Sequence, residues 1–312
     1  MFNTIDFIRQ LISFSPRQGS NETRAGKFIT DLLGKNNVEY KLQQFTVTLP
    51  QDIKAELIAD GRHIPCQASS FVSGKIEGKN NLISSLLFDL EFNFPNLNFN
   101  PRCEQISVPS RSMHFPALAV SKNDLPKILT ARQVRGEVVV KPVKHQSQNI
   151  LVGSLKNPKN IIFTHYDSIN LGVYDNAAGV ACAQKLILKQ PKLLQRSLFV
   201  ISGNEELSYD FPTYWGYGYR VFEKKYLNLL EKTKKIIIID GVGNGQLNFI
   251  NDPYWLNMGF PIKNVKKFQN KTILACSDSD RLMTVYHSDA DNLSQFEEKY
   301  FNDAYQKIKQ QL

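Results

Sequence analysis

The run Asn160-Ile161-Ile162-Phe163-Thr164-His165-Tyr166-Asp167 decides the fold. It is short, rich in β-branched and aromatic residues, and stops abruptly at an imidazole and a carboxylate. The pattern recurs downstream. Ser197-Leu198-Phe199-Val200-Ile201-Ser202 leads into Gly203-Asn204-Glu205-Glu206, and Ile236-Ile237-Ile238-Ile239 leads into Asp240-Gly241. Continuous apolar runs of this length fit strands buried on both faces. Helical spacing follows the first two runs, over 176–189 and about 214–230, and a further strand at 272–275 and a last helix at 294–308 extend the series. The expected class is α/β: an open, mixed, mostly parallel sheet with crossover helices on both faces.

Outward from this core the texture changes. The chain begins with two helices. Residues 4–14 carry Ile5, Ile8, Leu11 and Ile12 on one face, and Ser20/Asn21 can cap a second helix bearing Ala25, Phe28, Ile29 and Leu32. Ser15-Pro16-Arg17-Gln18-Gly19 supplies the break. Between 45 and 144 the pattern becomes short alternating stretches, at 45–49, 55–59, 82–87, 117–120 and 137–140, separated by turn residues. Eight of the fourteen prolines fall there, which disfavours helices and central strands. This predicts a smaller β-rich inserted domain over 45–144, with one helix near 123–131 opened by a Ser121/Asp124 pair, and a main domain made of 1–44 and 145–312.

Composition excludes several classes. With 312 residues and 42% hydrophobic content the chain can bury a full core, so a disordered or fibrous protein is ruled out. No stretch approaches the roughly 18 apolar residues of a membrane span, and Asp6 and Arg9 interrupt the N-terminal region where a signal peptide would be apolar. A cytoplasmic protein without membrane contact is expected. The net charge of +9 invites a nucleic-acid partner. The lysines, however, occur in short scattered groups (224–225, 232–235, 263–267) without interleaved aromatics, which reads as a solvated basic surface and no nucleic acid. Cys66, Cys103, Cys182 and Cys276 form no metal or redox pattern and read as free, buried thiols.

In open α/β sheets ligands bind beyond the carboxyl ends of the strands. There the sequence sets His165 and Asp167, Glu205 and Glu206, and Asp240. Asp175-Asn176 stands at a helix start, and Tyr286-His287 follows the strand-like Met283-Thr284-Val285. Taken singly these are ordinary, and Asp175-Asn176 alone would be a helix cap. Together they form a ligand set for zinc or a neighbouring divalent ion, and five candidate ligands exceed one tetrahedral ion, which points to two ions sharing a bridging carboxylate. Four crowded carboxylates, Asp175, Glu205, Glu206 and Asp240, would repel one another unless balanced by such cations. The adjacent Glu205-Glu206 pair points two ways, so one can bind metal while the other serves as a general base. His63, His114 and His145 lack this setting and read as structural or surface histidines.

These residues resemble the M28 zinc aminopeptidases. His165-Tyr166-Asp167-Ser168, Asp175-Asn176-Ala177-Ala178-Gly179-Val180-Ala181, Glu205-Glu206, Asp240, Ser277-Asp278 and His287 occur in that family's order over most of 145–312. The resemblance implies the zinc-peptidase fold, with His165, Asp175 and Asp240 on one zinc and Asp175, Glu206 and His287 on the other. It implies Glu205 as general base, Asp167 orienting the metal-bound imidazole, Tyr286 as hydrogen-bond donor to the oxyanion, and a cis peptide after Asp175. Two Zn2+ ions are the implied cofactors, with Co2+ or Mn2+ as alternatives, and peptides with a free N-terminus the implied substrates. The segment Phe115-Pro116-Ala117-Leu118-Ala119-Val120-Ser121 resembles part of a protease-associated domain inserted at this point in relatives. The chain departs from the family at 207–216 and 277–280, which bear on the walls of a substrate pocket. Alternatives of the same fold are a dizinc carboxypeptidase, dipeptidase or deacylase, which would set Asp175 in a different context, and a glutaminyl cyclase, in which a serine usually follows the shared aspartate. A catalytically silent binding relative would have lost ligands that are all present here.

Overall fold

Along Lys235–Ile239, Ile236 and Ile238 enter one apolar cluster while Ile237 and Ile239 enter another, as the two-residue repeat of a strand requires. Asn160–His165 divides in the same way, Ile161 and Phe163 against Ile162. So does Ser197–Ser202, Leu198 and Val200 against Phe199 and Ile201. A sheet buried on both sides needs helices on both sides. Thr4–Ile12, Ser20–Lys35, Ala178–Lys189 and Glu298–Gln311 cover the first face through Ile8 and Leu11, Ile29 and Leu33, Val180 and Leu186, and Phe301 and Ile308. Tyr217–Lys232, Pro253–Gly259 and Val265–Phe268 cover the second through Tyr219, Phe222, Leu256 and Phe268. Each such side chain contributes about 1.5–3 kcal/mol by leaving water, so the two clusters dominate the stability of this layer.

The computed structural model describes residues 2–86, 94–109 and 111–312, which divide into two compact units. The first consists of Met1–Val47, His145–Leu282 and Asp291–Leu312. Its strands run Asn248–Ile250, Thr272–Cys276, Lys235–Ile239, Asn160–His165, Ser197–Ser202, and then the end of Val134–Gly153. The three inner pairings are parallel and the two outer ones antiparallel, giving the open, mixed, mostly parallel sheet expected. The second unit gathers Thr48–Lys144 with Met283–Ala290. It contains a four-stranded sheet in the order Cys66–Ala68, Ala117–Val120, Asn96–Phe99 and Leu82–Ser84, with the helix Leu125–Thr130, and packs around Leu97, Leu118, Val120 and Ile128. Among the described residues no helix is long and apolar enough to cross a membrane. All four cysteines are free, Cys66 half-buried and the others buried.

Several elements differ from the sequence expectation. The stretches at 45–49 and 55–59 belong to one strand, Tyr40–Ala59, and 137–140 lies within another of equal length, Val134–Gly153. Pro50 and Pro142 did not break these strands because their neighbours 51–55 and 141–144 are exposed, where a missing N–H costs little. The stretch 82–87 is strand only over Leu82–Ser84, and position 87 lies outside the described residues. Ser20 is the first residue of its helix rather than a capping side chain, the cap position being Gly19. Met283-Thr284-Val285 is not a strand: Ser279–Met283 is helical and a turn carries the chain on to His287. The last helix starts at Glu298 rather than 294, because Asn292 caps a separate short turn over Leu293–Gln295. The helix Pro253–Gly259 is not among the expected elements, although Asp252 accepting from Tyr254 and Trp255 and a proline in the first turn are recognisable start signals.

Candidate metal centre

Three neighbouring parallel strands deliver their carboxyl ends side by side, with Ser202 in register with His165 and Ile238 with Phe163. His165 is the last residue of its strand, Asp240 follows Ile239 directly, and Glu205 and Glu206 lie just beyond Ser202. Asp175 arrives from the side, on the turn before the helix Ala178–Lys189, and the Asp175–Asn176 peptide is cis. Asn176 explains how that turn is held. Its Nδ2 donates to Thr164 Oγ1 at 3.1 Å and to the Ile239 carbonyl at 2.9 Å, while its Oδ1 accepts from the Gly179 N–H at 3.1 Å. Asn176 therefore does the capping and ties the turn to two strand ends.

The ligand atoms of His165, Asp175 and Glu206, all buried, lie within 4.8 Å of one another. His165 Nε2 is 3.2 Å from Asp175 Oδ1 and 3.5 Å from half-buried Asp240, while Nδ1 is 3.5 Å from Asp167 Oδ1. Two donors on one zinc ion each stand about 2.0–2.2 Å from it, so spacings of this size suit a shared ion. The imidazole thus has carboxylates on both nitrogens, one side fit for a metal and the other for an orienting partner. The two oxygens of Asp167 also accept from the Glu205 and Glu206 N–H groups, each at 2.9 Å.

The electrostatics are those of a site short of positive charge. Burial alone would lower the His165 imidazolium, but the neighbouring carboxylates of Asp167, Asp175 and Asp240 reverse this and hold it well above its ordinary value. Burial pushes the Glu205 carboxyl well above the usual carboxylate range. His165 opposes that shift, and Glu206, Asp167 and Asp240 add to it. Divalent cations at such donors would invert this balance and keep the carboxylates ionised.

Tyr286 and His287 belong to the second unit. The two rings stack with centroids 3.8 Å apart, and His287 Nδ1 is 3.0 Å from the Val108 carbonyl. That carbonyl can only accept, so a neutral His287 carries its proton on Nδ1 and presents a lone pair at Nε2, the state a metal ligand requires. His63 and His114 are exposed, and His145 lies 3.2 Å from Glu22.

Two residues of the first unit had no signal in the sequence. Arg17 is fully buried, its guanidinium held at about 10 by burial against the opposing pull of Asp167, Asp291, Glu206 and Asp175. Asp291 is also buried. Its carboxyl is pushed up to about 7 by burial, although it accepts from the Tyr174 and Asp175 N–H groups at 2.7 and 3.0 Å. Arg17 lies in the segment that separates the first two helices, and Asp291 follows no strand.

No protein-family model and no curated protein matches the chain. Solved structures do. The zinc aminopeptidase BSAP from Bacillus subtilis is similar with a TM-score of 0.71 at 15% identity, over 98% of this chain and 92% of that one. A Peptidase M28 precursor from Shewanella amazonensis gives 0.64 at 13% identity, over 97% and 90%. A glutaminyl cyclase from Bacteroides thetaiotaomicron gives 0.52 at 11% identity, over 98% and 94%. The fold is thus the zinc-peptidase fold, which hosts more than one chemistry.

Proposed function

We propose that this protein is an M28-type zinc aminopeptidase that removes the N-terminal residue of peptides, with two zinc ions as cofactors and Co2+ or Mn2+ as possible substitutes. The observation that carries the reading is the buried set of His165, Asp175 and Glu206, whose donor atoms lie within 4.8 Å of one another at the strand ends of a zinc-peptidase fold. From the order of the motifs, His165, Asp175 and Asp240 hold one ion and Asp175, Glu206 and His287 the other. On the same footing 1–44 and 145–312 carry the chemistry and 45–144 form an insertion. When bound, the ions acidify a water molecule and polarise the scissile carbonyl. Glu205 takes the proton of the attacking water and passes it to the leaving amine. Asp167 fixes the His165 ring, Tyr286 donates to the oxygen on which charge develops, and the acidic rim receives the substrate's α-ammonium group.

Metal quantification combined with hydrolysis of free and N-blocked aminoacyl amides tests this. The expected result is bound zinc and cleavage of the free substrates alone. Glu205→Gln is expected to retain the metal and lose about 10²–10⁴ in kcat, the usual contribution of general acid-base catalysis. Cleavage confined to blocked substrates overturns the exopeptidase reading, and less than one ion per chain overturns the metal reading. Cyclisation of N-terminal glutaminyl peptides without amide hydrolysis would assign the protein to the second chemistry found among its structural neighbours.

A further inference from the structure

We propose that Arg17 and Asp291 are positioning residues, which hold the backbone of the ligand-bearing segments in metal-binding geometry before an ion arrives. The inference rests on the metal reading given above. All three guanidinium nitrogens of Arg17 donate to oxygen. Nε reaches the Tyr166 carbonyl at 2.5 Å, Nη1 the Leu171 carbonyl at 2.7 Å and Ser15 Oγ at 2.8 Å, and Nη2 the Gly172 carbonyl at 3.0 Å. Tyr166 lies between His165 and Asp167, and Gly172 is three residues before Asp175, so one rigid fork spans two ligand segments about 150 positions from it in sequence.

Asp291 grips the next stretch. Its two carboxylate oxygens take the N–H groups of Tyr174 and Asp175, and its own carbonyl accepts from Val173 at 3.2 Å. Asp167 does the same for Glu205 and Glu206. The segments that carry His165, Asp175 and Glu206 are therefore each held through the main chain by a buried charged side chain. A full charge is expensive to bury, and a guanidinium spent on carbonyls rather than on carboxylates gains chiefly the fixed geometry of those carbonyls. Neither Arg17 nor Asp291 belongs to the proposed ligand set, and Asp291 is not in the group of buried donors that lie within 4.8 Å of one another.

Zinc affinity by chelator competition, the visible absorption of the Co2+ form and metal-free melting temperature are to be measured for the wild type, Asp291→Asn, Arg17→Lys and Leu230→Ala. Leu230 is buried in the other apolar cluster and serves as a destabilised control. Asp291→Asn replaces one acceptor by a donor, and Arg17→Lys keeps the charge but loses the fork. Each is expected to weaken zinc binding about 10–100-fold, the usual effect of losing a supporting partner, and to alter the Co2+ spectrum. Leu230→Ala is expected to lower the melting temperature and leave both readouts unchanged. Binding within threefold of wild type in a folded Asp291→Asn or Arg17→Lys protein overturns the inference, as does equal weakening in Leu230→Ala. If only one of the two site variants folds, that one decides. If neither folds, the frame serves the fold rather than the metal and the inference fails. A wild type that takes up no ion removes the metal reading itself, and this inference with it, whereas intact wild-type binding isolates the failure to Arg17 and Asp291.

Discussion

Glu22 is a carboxylate with almost no access to water; it accepts from Ser147 Oγ at 2.5 Å and from the Tyr166 hydroxyl at 3.2 Å, and His145 Nε2 lies 3.2 Å from it. Burial raises its proton affinity above the ordinary carboxylate value of 4.5, with Asp167 adding to the shift, while His145 and Ser147 oppose it without cancelling it. The sign of the pH effect follows. Below 4.5 the folded and unfolded chains both keep the proton. As pH rises towards the folded value only the folded chain keeps it, so stability falls by about 1.4 kcal/mol per pH unit from this group. Glu22→Gln cannot titrate, and its stability relative to wild type should improve as pH rises from 4.5 towards the folded value and then level off. Chemical denaturation at a series of pH values checks this, and parallel curves for the two proteins would contradict it. Single residues also mark the limit of sequence reading. His165, Glu205, Glu206 and Asp240 could be picked out because each lies at or within a few residues of the end of an apolar run, so local pattern alone locates them at a sheet's carboxyl edge. Arg17, Glu22 and Asp291 could not, since their partners are largely main-chain atoms or residues more than 100 positions away, and neither leaves a trace in local composition.

At the level of elements, the turn over 173–177 and the helix Ala178–Lys189 must be joined without a break, because one delivers Asp175 and the other covers the sheet. Gly179 makes the junction possible. A Cβ there would stand 2.0 Å from Asn176 Oδ1, and Asn176 is fixed by its bonds to Thr164, Ile239 and Gly179 itself, so it has nowhere to move. Alanine normally favours a helix over glycine by about 1 kcal/mol. Here Gly179→Ala should instead destabilise by about 2 kcal/mol or more, the order of an orphaned buried amide. Denaturant unfolding measures the difference, and a more stable variant would show that Asn176 is not the pin described. The same contrast explains which elements were legible. Strands 160–165, 197–202 and 235–239 announce themselves because burial on both faces leaves an unbroken apolar run. The boundaries of the crossover helices do not. The expected start at 214 moved to Tyr217 because Gly216, with a φ of +76°, donates its N–H to the Glu205 carbonyl and closes the preceding loop. That bond links residues eleven apart in sequence and has no counterpart in helical periodicity.

At the scale of the molecule, charge is distributed against its own average. The chain carries a net +9, yet lysines 224, 225, 232, 234, 263, 266 and 267 are exposed to water, while Asp167, Asp175, Glu205, Glu206 and Asp291 are buried, four of them, all but Glu205, acting on the buried Arg17. Distant surface lysines cannot compensate such a site, because ions in solution screen them within about 10 Å. Compensation has to come from inside, and the histidine and carboxylate donors favour zinc over magnesium or calcium. Folding free energy and metal binding are then linked, since the unfolded chain offers no such gathered donors. At zinc concentrations a thousand times the dissociation constant the gain is about 4 kcal/mol, and a chain of this size should melt on the order of 10 °C higher than after chelation. Thermal unfolding after chelator treatment and dialysis, then with zinc restored and with magnesium or calcium in its place, tests the linkage. Recovery with zinc alone is the expected outcome. Melting unchanged by chelation would mean that the buried carboxylates are neutralised by protons instead, and in that case stability should fall sharply as the pH is raised.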